Sequence, residues 1–146
     1  MDQQPIEILK KVLEQEIAAE KRYASQINNI RKAFVIRKII SDIRAEEIQH
    51  AKKAIEKIKQ INPDFNFILS ESEIETRFEG KDSLKQIKEF LELDIKRERQ
   101  AYKSYLNFSN QVSEQEIKVM LIHFIEDEKQ HEQKILNLID NLKRLE

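Results

Sequence analysis

Two stretches of this chain set a glutamate and a histidine in the middle of an otherwise apolar helical stripe, and any fold must account for them. In the later stretch Ile117, Leu121, Phe124, Glu128, His131, Ile135, Leu138 and Leu142 step by threes and fours. That spacing keeps all eight side chains on one face of a helix. Glu128 and His131 are three residues apart, about 300° of rotation, so they point nearly the same way. In the earlier stretch Ile36, Ile40, Ile43, Glu47, His50, Ala54 and Ile58 repeat the arrangement. A carboxylate inside an apolar stripe is costly unless it is paired or bound to a metal.

The composition favours helices throughout. One glycine and two prolines in 146 residues leave little to punctuate strands or tight turns. The length suits one domain, residues 1–146, with a proper core. Charged residues make up 36% yet the formal net charge is −1, so no bulk field attracts nucleic acid or an anionic membrane. There is no cysteine, which excludes disulfides, thiolate zinc sites and iron–sulfur centres. Met1–Pro5 does not read as a signal peptide and no run of 18 apolar residues exists. A cytoplasmic protein with neither nucleic acid nor membrane as partner is expected.

Four helices are expected, over about 5–28, 33–60, 82–110 and 113–144. Pro5 suits the first turn of the first. Its face runs through Leu9, Leu13, Glu16, Glu20, Tyr23, Ile27 and Ile30, with Asn28 and Asn29 as a stop. Asn62 and Pro63 end the second. Residues 62–81 break the pattern and are too long for a simple turn, so they read as a crossover. Phe65 and Phe67 are expected against the helices, with a short helical turn near 72–78. Ser83–Gln86 and Ser113–Glu116 read as capping boxes opening helices three and four. Leu84, Ile87, Leu91, Asp94, Glu98, Ala101 or Tyr102, and Tyr105 mark the third helix face. The fold class is all-α: a four-helix bundle of two antiparallel pairs joined by a long connection.

The halves look like copies. Glu47 and His50 lie 81 positions before Glu128 and His131, and seven residues separate both Glu16 from Tyr23 and Glu98 from Tyr105. Glu16 and Glu47 are symmetric about one proposed turn, Glu98 and Glu128 about the other, so these carboxylates and both imidazoles converge. Such oxygen and nitrogen ligands favour iron or manganese, with zinc competing. Paired structural His–Glu groups are the alternative. Glu20 and Asp94, each one turn from Glu16 and Glu98, are alternative ligands. Tyr23 and Tyr105 either hydrogen-bond carboxylates of the site or fill the core with their hydroxyls near it. Glu46 and Asp127 either orient the histidines across the bundle or form rim salt bridges. His123 belongs on the surface.

These motifs resemble the rubrerythrin branch of the ferritin-like superfamily, over all four helices. The resemblance implies a ferritin-like bundle and two iron ions. Glu47 and Glu128 would bridge them, Glu16 and Glu98 would be terminal, and His50 and His131 would serve one metal each. Two departures stand out. The family's extra metal-site glutamate three residues after Glu98 is replaced by Ala101, and no rubredoxin centre is encoded without cysteine. The implied activity is reduction of hydrogen peroxide, or less efficiently dioxygen, with electrons from an external rubredoxin-type donor. A ferritin-type ferroxidase and a metal-idle helical interaction module are the alternatives, and a homodimer is the expected assembly.

Overall fold

The computed structural model describes residues 4–76 and 79–144 of the chain. It contains four helices, α1 (Gln4–Asn29), α2 (Phe34–Ile61), α3 (Leu84–Gln111) and α4 (Gln115–Lys143). The stripes read from the sequence are the buried faces. Every stripe residue quoted for α1, α2 and α4 is buried, polar members included. On α3 the face starts one turn later: Leu84 is 53% exposed, and burial begins at Ile87. Leu84 is the first residue of its helix, below which no turn exists for it to lie on.

The helix starts differ in how they are finished. At α3, the backbone N–H of Gln86 donates to the Ser83 hydroxyl at 3.2 Å, the first half of a capping box. At α4 the expected cap on Ser113 does not form. The Glu114 carbonyl already accepts from the Lys118 N–H, so Glu114 holds the N-cap position, with no side-chain bond. At α2 the N-cap is Ala33, which has no acceptor to offer. Asp82, arriving from the far end of the crossover, supplies it. Its carboxylate accepts from the backbone N–H groups of Arg31, Lys32 and Ala33, the latter two at 2.8 and 2.6 Å.

α1 packs on α2 and α3 on α4, and the two hairpins meet with α1 facing α3 and α2 facing α4. Two apolar cores result. One gathers Leu9 and Leu13, Ala54 and Ile58, and Leu121 and Phe124 at one end; the other gathers Ile27, Ile40, Leu91 and Leu138 at the opposite end. All adjacent helices are therefore antiparallel, and α2 ends at the opposite end of the bundle from the start of α3. No helix among the described residues is long and apolar enough to cross a membrane.

The connection travels the length of the first hairpin. Phe65 and Phe67 stack with ring centroids 6.2 Å apart and pack on the first core, while Ile74 packs on the second. The helical turn expected near 72–78 is not present over 72–76, and residues 77 and 78 lie outside the described residues. Those backbone groups bond outward instead, to α1 and α2. The Ser72 N–H and hydroxyl both donate to Glu20 Oε1, at 3.0 and 2.7 Å. Arg44 donates to Glu20 Oε2 at 3.1 Å and to the Ser72 carbonyl at 2.8 Å. Asn28 pairs with the backbone of Glu73 and Glu75. Glu20 is buried because it latches the crossover. Glu20→Ala leaves the guanidinium of Arg44 and the Ser72 donors without their carboxylate, and urea unfolding should show a loss of about 3 kcal/mol. An unchanged midpoint would mean that the crossover is held by its apolar contacts alone.

Candidate metal centre

Between the two apolar cores lies one polar layer. Glu16 comes from α1, Glu47 and His50 from α2, Glu98 from α3, and Glu128 and His131 from α4, each at most 2% exposed. The sequence put all six on inward stripes, and the structure brings all six together. Ligand atoms from Glu16, Glu47, His50 and Glu128 lie within 4.8 Å of one another, and so do those from Glu47, Glu98, Glu128 and His131. Glu47 and Glu128 belong to both groups. His50 Nδ1 is 3.1 Å from Glu128 and 3.4 Å from both Glu16 and Glu47; His131 Nδ1 is 3.4 Å from Glu47.

The outer atoms of the cluster are held from the opposite hairpin. His50 Nε2–H donates to Asp127 at 2.8 Å, and His131 Nε2–H donates to Glu46. A carboxylate on Nε2 fixes that nitrogen as the N–H side and turns Nδ1 toward the interior. The Tyr105 hydroxyl donates to Glu16 Oε1 at 2.5 Å, and the Tyr23 hydroxyl donates to Glu98 Oε1. Burial, then the carboxylates Glu98 and Glu16 respectively, push Tyr23 and Tyr105 well above the usual phenol range, so both stay donors. Phe124 stacks on His50 with centroids 4.0 Å apart, which fixes the ring plane. His123 is exposed, away from the layer.

The alternative carboxylates are occupied elsewhere. Glu20 holds the crossover. Asp94 accepts from Arg22 at 3.1 Å and from Gln26 at 2.6 Å, which ties α3 to α1. Periodicity could not separate them from Glu16 and Glu98, because a residue one turn away shares the face. Nor did it single out Arg22, whose guanidinium sits 4.6 Å from the ring centroid of Tyr23.

The inner atoms are unsatisfied. Among the described residues, nine buried side-chain atoms have no hydrogen-bond partner, and seven of them belong to these six side chains. Both histidine Nδ1 atoms and both oxygens of Glu128 are included. Buried polar atoms are ordinarily bonded, so this inward-facing set of hard oxygen and imidazole donors fits cations. Without them the layer is electrostatically crowded. Burial and then Glu47 push the Glu16 carboxyl up to about 8, and burial, Glu47 and Glu16 push Glu128 well above the carboxylate range. Burial also pushes Glu98 up, but Glu128 and His131 outweigh it and hold it below that range. Burial disfavours both imidazolium ions, yet Glu16 and Glu47 hold His50 at about 11, and Glu98 and Glu47 hold His131 at about 9.

A groove of about 840 Å³ opens between α1 and α3 and reaches this layer. Buried Glu47, Glu98, Glu128 and Tyr105 line it where it meets the layer, and Ala18, Ala19 and Ala101 line it as well.

The arrangement is a buried Glu/His cluster in a four-helix bundle, compatible with a di-iron site. The chain belongs to the rubrerythrin family, whose model, described as Rubrerythrin, matches residues 7–143. A hypothetical protein from Pyrococcus furiosus has the same fold, with a TM-score of 0.78 at 19% identity over 97% of this chain and 92% of its own. No curated protein matches the sequence significantly.

The crowded layer gives the metal-free protein a defined pH response. Glu16 releases its proton near 4.5 when unfolded and near 8 when folded. His50 and His131 move in the same direction, from 6.5 to about 11 and about 9. Between those values the folded chain binds more protons, so raising the pH favours unfolding. Glu98, held low, acts only below its ordinary value. The melting temperature of chelator-treated protein should therefore fall steadily from about pH 5 to about pH 9. Glu128→Gln, which keeps the neutral form, should flatten that decline. A melting temperature that rises over this interval would show that the carboxylates are stabilised as ions.

Proposed function

We propose that this chain is a non-haem di-iron oxidoreductase that reduces hydrogen peroxide, and dioxygen less efficiently, to water. The observation that carries the reading is the pair of overlapping four-residue groups sharing Glu47 and Glu128, with seven unsatisfied donor atoms turned inward. In this reading Glu47 and Glu128 would serve both metal positions, Glu16 and His50 would complete one, and Glu98 and His131 would complete the other. Two bound ferrous ions supply two electrons and Lewis acidity; two protons complete the conversion of peroxide to two waters.

The protein's own residues do the rest. Asp127 and Glu46 hold the imidazoles in the tautomer that presents Nδ1. Tyr105 and Tyr23 each occupy one oxygen of Glu16 and Glu98, leaving the second oxygen free to turn inward. The groove between α1 and α3 lets a small oxidant reach the layer, while the apolar cores above and below exclude bulk water. Re-reduction falls to an external donor such as a rubredoxin-type protein, and the assembly is a homodimer.

Anaerobic iron loading followed by elemental analysis should approach two irons per chain, and one or fewer would sink the reading. Stopped-flow absorbance should then show the reduced protein reoxidised faster by peroxide than by air-saturated buffer. Faster reaction with dioxygen, with added Fe(II) turned over, would make the protein a ferroxidase instead.

The assignment of ligands has its own check. Glu16→Ala and Glu98→Ala should each retain about half the wild-type metal, whereas Glu20→Ala and Asp94→Ala should retain nearly all of it, because their carboxylates face Ser72 and Arg22. The opposite order, read by the same metal analysis, would place the terminal ligands one turn away.

A further inference from the structure

The groove is much larger than a peroxide reductase needs. Hydrogen peroxide is close to water in size, and a water takes roughly 30 Å³ of liquid. The groove has about 840 Å³, within the range of sites that hold organic molecules. Three alanines are among its lining residues. Ala18 and Ala19 of α1 and Ala101 of α3 all line it, and none carries a side chain beyond Cβ to fill it.

The charges along it are ordered. Its buried lining holds the cluster carboxylates Glu47, Glu98 and Glu128 with the Tyr105 ring, the alanines add apolar wall, and its solvent side carries half-buried Arg22 and exposed Arg97 and Lys103. Arg22 is neutralised by Asp94 at 3.1 Å. Arg97 donates to the neutral amide of Gln100, and both Arg97 and Lys103 are exposed. The carboxylates lining the groove are those of the cluster alone. A guest that fits therefore has an apolar body, an anionic end for the solvent side and its reactive end at the layer.

The geometry points to an organic hydroperoxide bearing a carboxylate, of the fatty-acid hydroperoxide class, as a substrate of this centre. The inference rests on the di-iron reading above. The O–O bond breaks, two electrons from the reduced metal pair and two protons enter, and the products are the alcohol and water. Arg97 and Lys103 hold the carboxylate, and the alanine wall admits the chain.

The test separates binding from turnover. Zinc-loaded protein, which cannot change oxidation state, is titrated calorimetrically with sodium octanoate and with octan-1-ol as its uncharged counterpart. Octanoate should bind saturably and about tenfold more tightly than the alcohol. Arg97→Gln combined with Lys103→Gln, both at exposed positions, should erase that preference. Ala18→Phe and Ala101→Phe, on facing helices, should each weaken octanoate by about tenfold or more. Absence of saturable octanoate binding, or binding that ignores the Phe variants and the charge variant, would overturn the substrate class while leaving the metal centre intact. Failure of the wild type to take up zinc would overturn the centre itself and this inference with it. Metal analysis of the same samples tells the two failures apart.

Discussion

Four carboxylates and two imidazoles buried in one layer, with an apolar core above and another below, are the condition that the rest of the molecule satisfies. Groups of this kind cannot be left to themselves in a low-dielectric interior. Each is accordingly provided with one outer partner or shared with its neighbours, and the atoms left over point at one another. Helices suit such a layer because their backbone polar groups are already satisfied, so the side chains carry the whole electrostatic load. Against the effect of burial, carboxylate neighbours push both histidines up; burial and the neighbouring carboxylates push Glu128 up, and Glu128 and His131 hold Glu98 down against its burial. Cations bound among these groups would relieve the crowding.

The outer partners follow one rule: each comes from the other hairpin. Tyr23 of α1 holds Glu98 of α3, and Tyr105 of α3 holds Glu16 of α1. Asp127 of α4 holds His50 of α2, and Glu46 of α2 holds His131 of α4. Neither hairpin contains a finished half of the site. The approximate two-fold relation seen in the 81-residue spacing is thus a relation of mutual completion, and docking of the hairpins creates the centre. The symmetry is not perfect. Phe124 stacks on His50, whereas the position 81 residues earlier is Ile43.

Much of this was readable from the chain because its signals are local and repeated. Glu47 and His50, like Glu128 and His131, interrupt long apolar periods, and periodicity translates directly into a shared face. The same period is blind to what a buried carboxylate touches. Glu20 and Asp94 look like ligands from their spacing and turn out to bond Ser72 and Arg44, and Arg22 and Gln26. Those partners lie 24 to 72 positions away in sequence, and no local pattern reports them. Ser113 failed as a cap for a related reason: where a helix begins is decided by which carbonyl accepts first. The groove could not be read at all. It lies between α1 and α3, and its lining comes together only once the bundle is packed.

The crossover carries a different kind of information. Through Glu20, Arg44, Asn28 and the α1–α2 turn, its hydrogen bonds run to the first hairpin, and Asp82 finishes the start of α2. Residues 4–76 and 79–83 thus form a belted hairpin that supplies its own strap and its own helix cap, whereas α3 and α4 are joined by an ordinary three-residue link. The two halves are therefore unequal in what holds them: the first is tied along its length by its own connection, and the second relies on its helix–helix contact and on docking to the first.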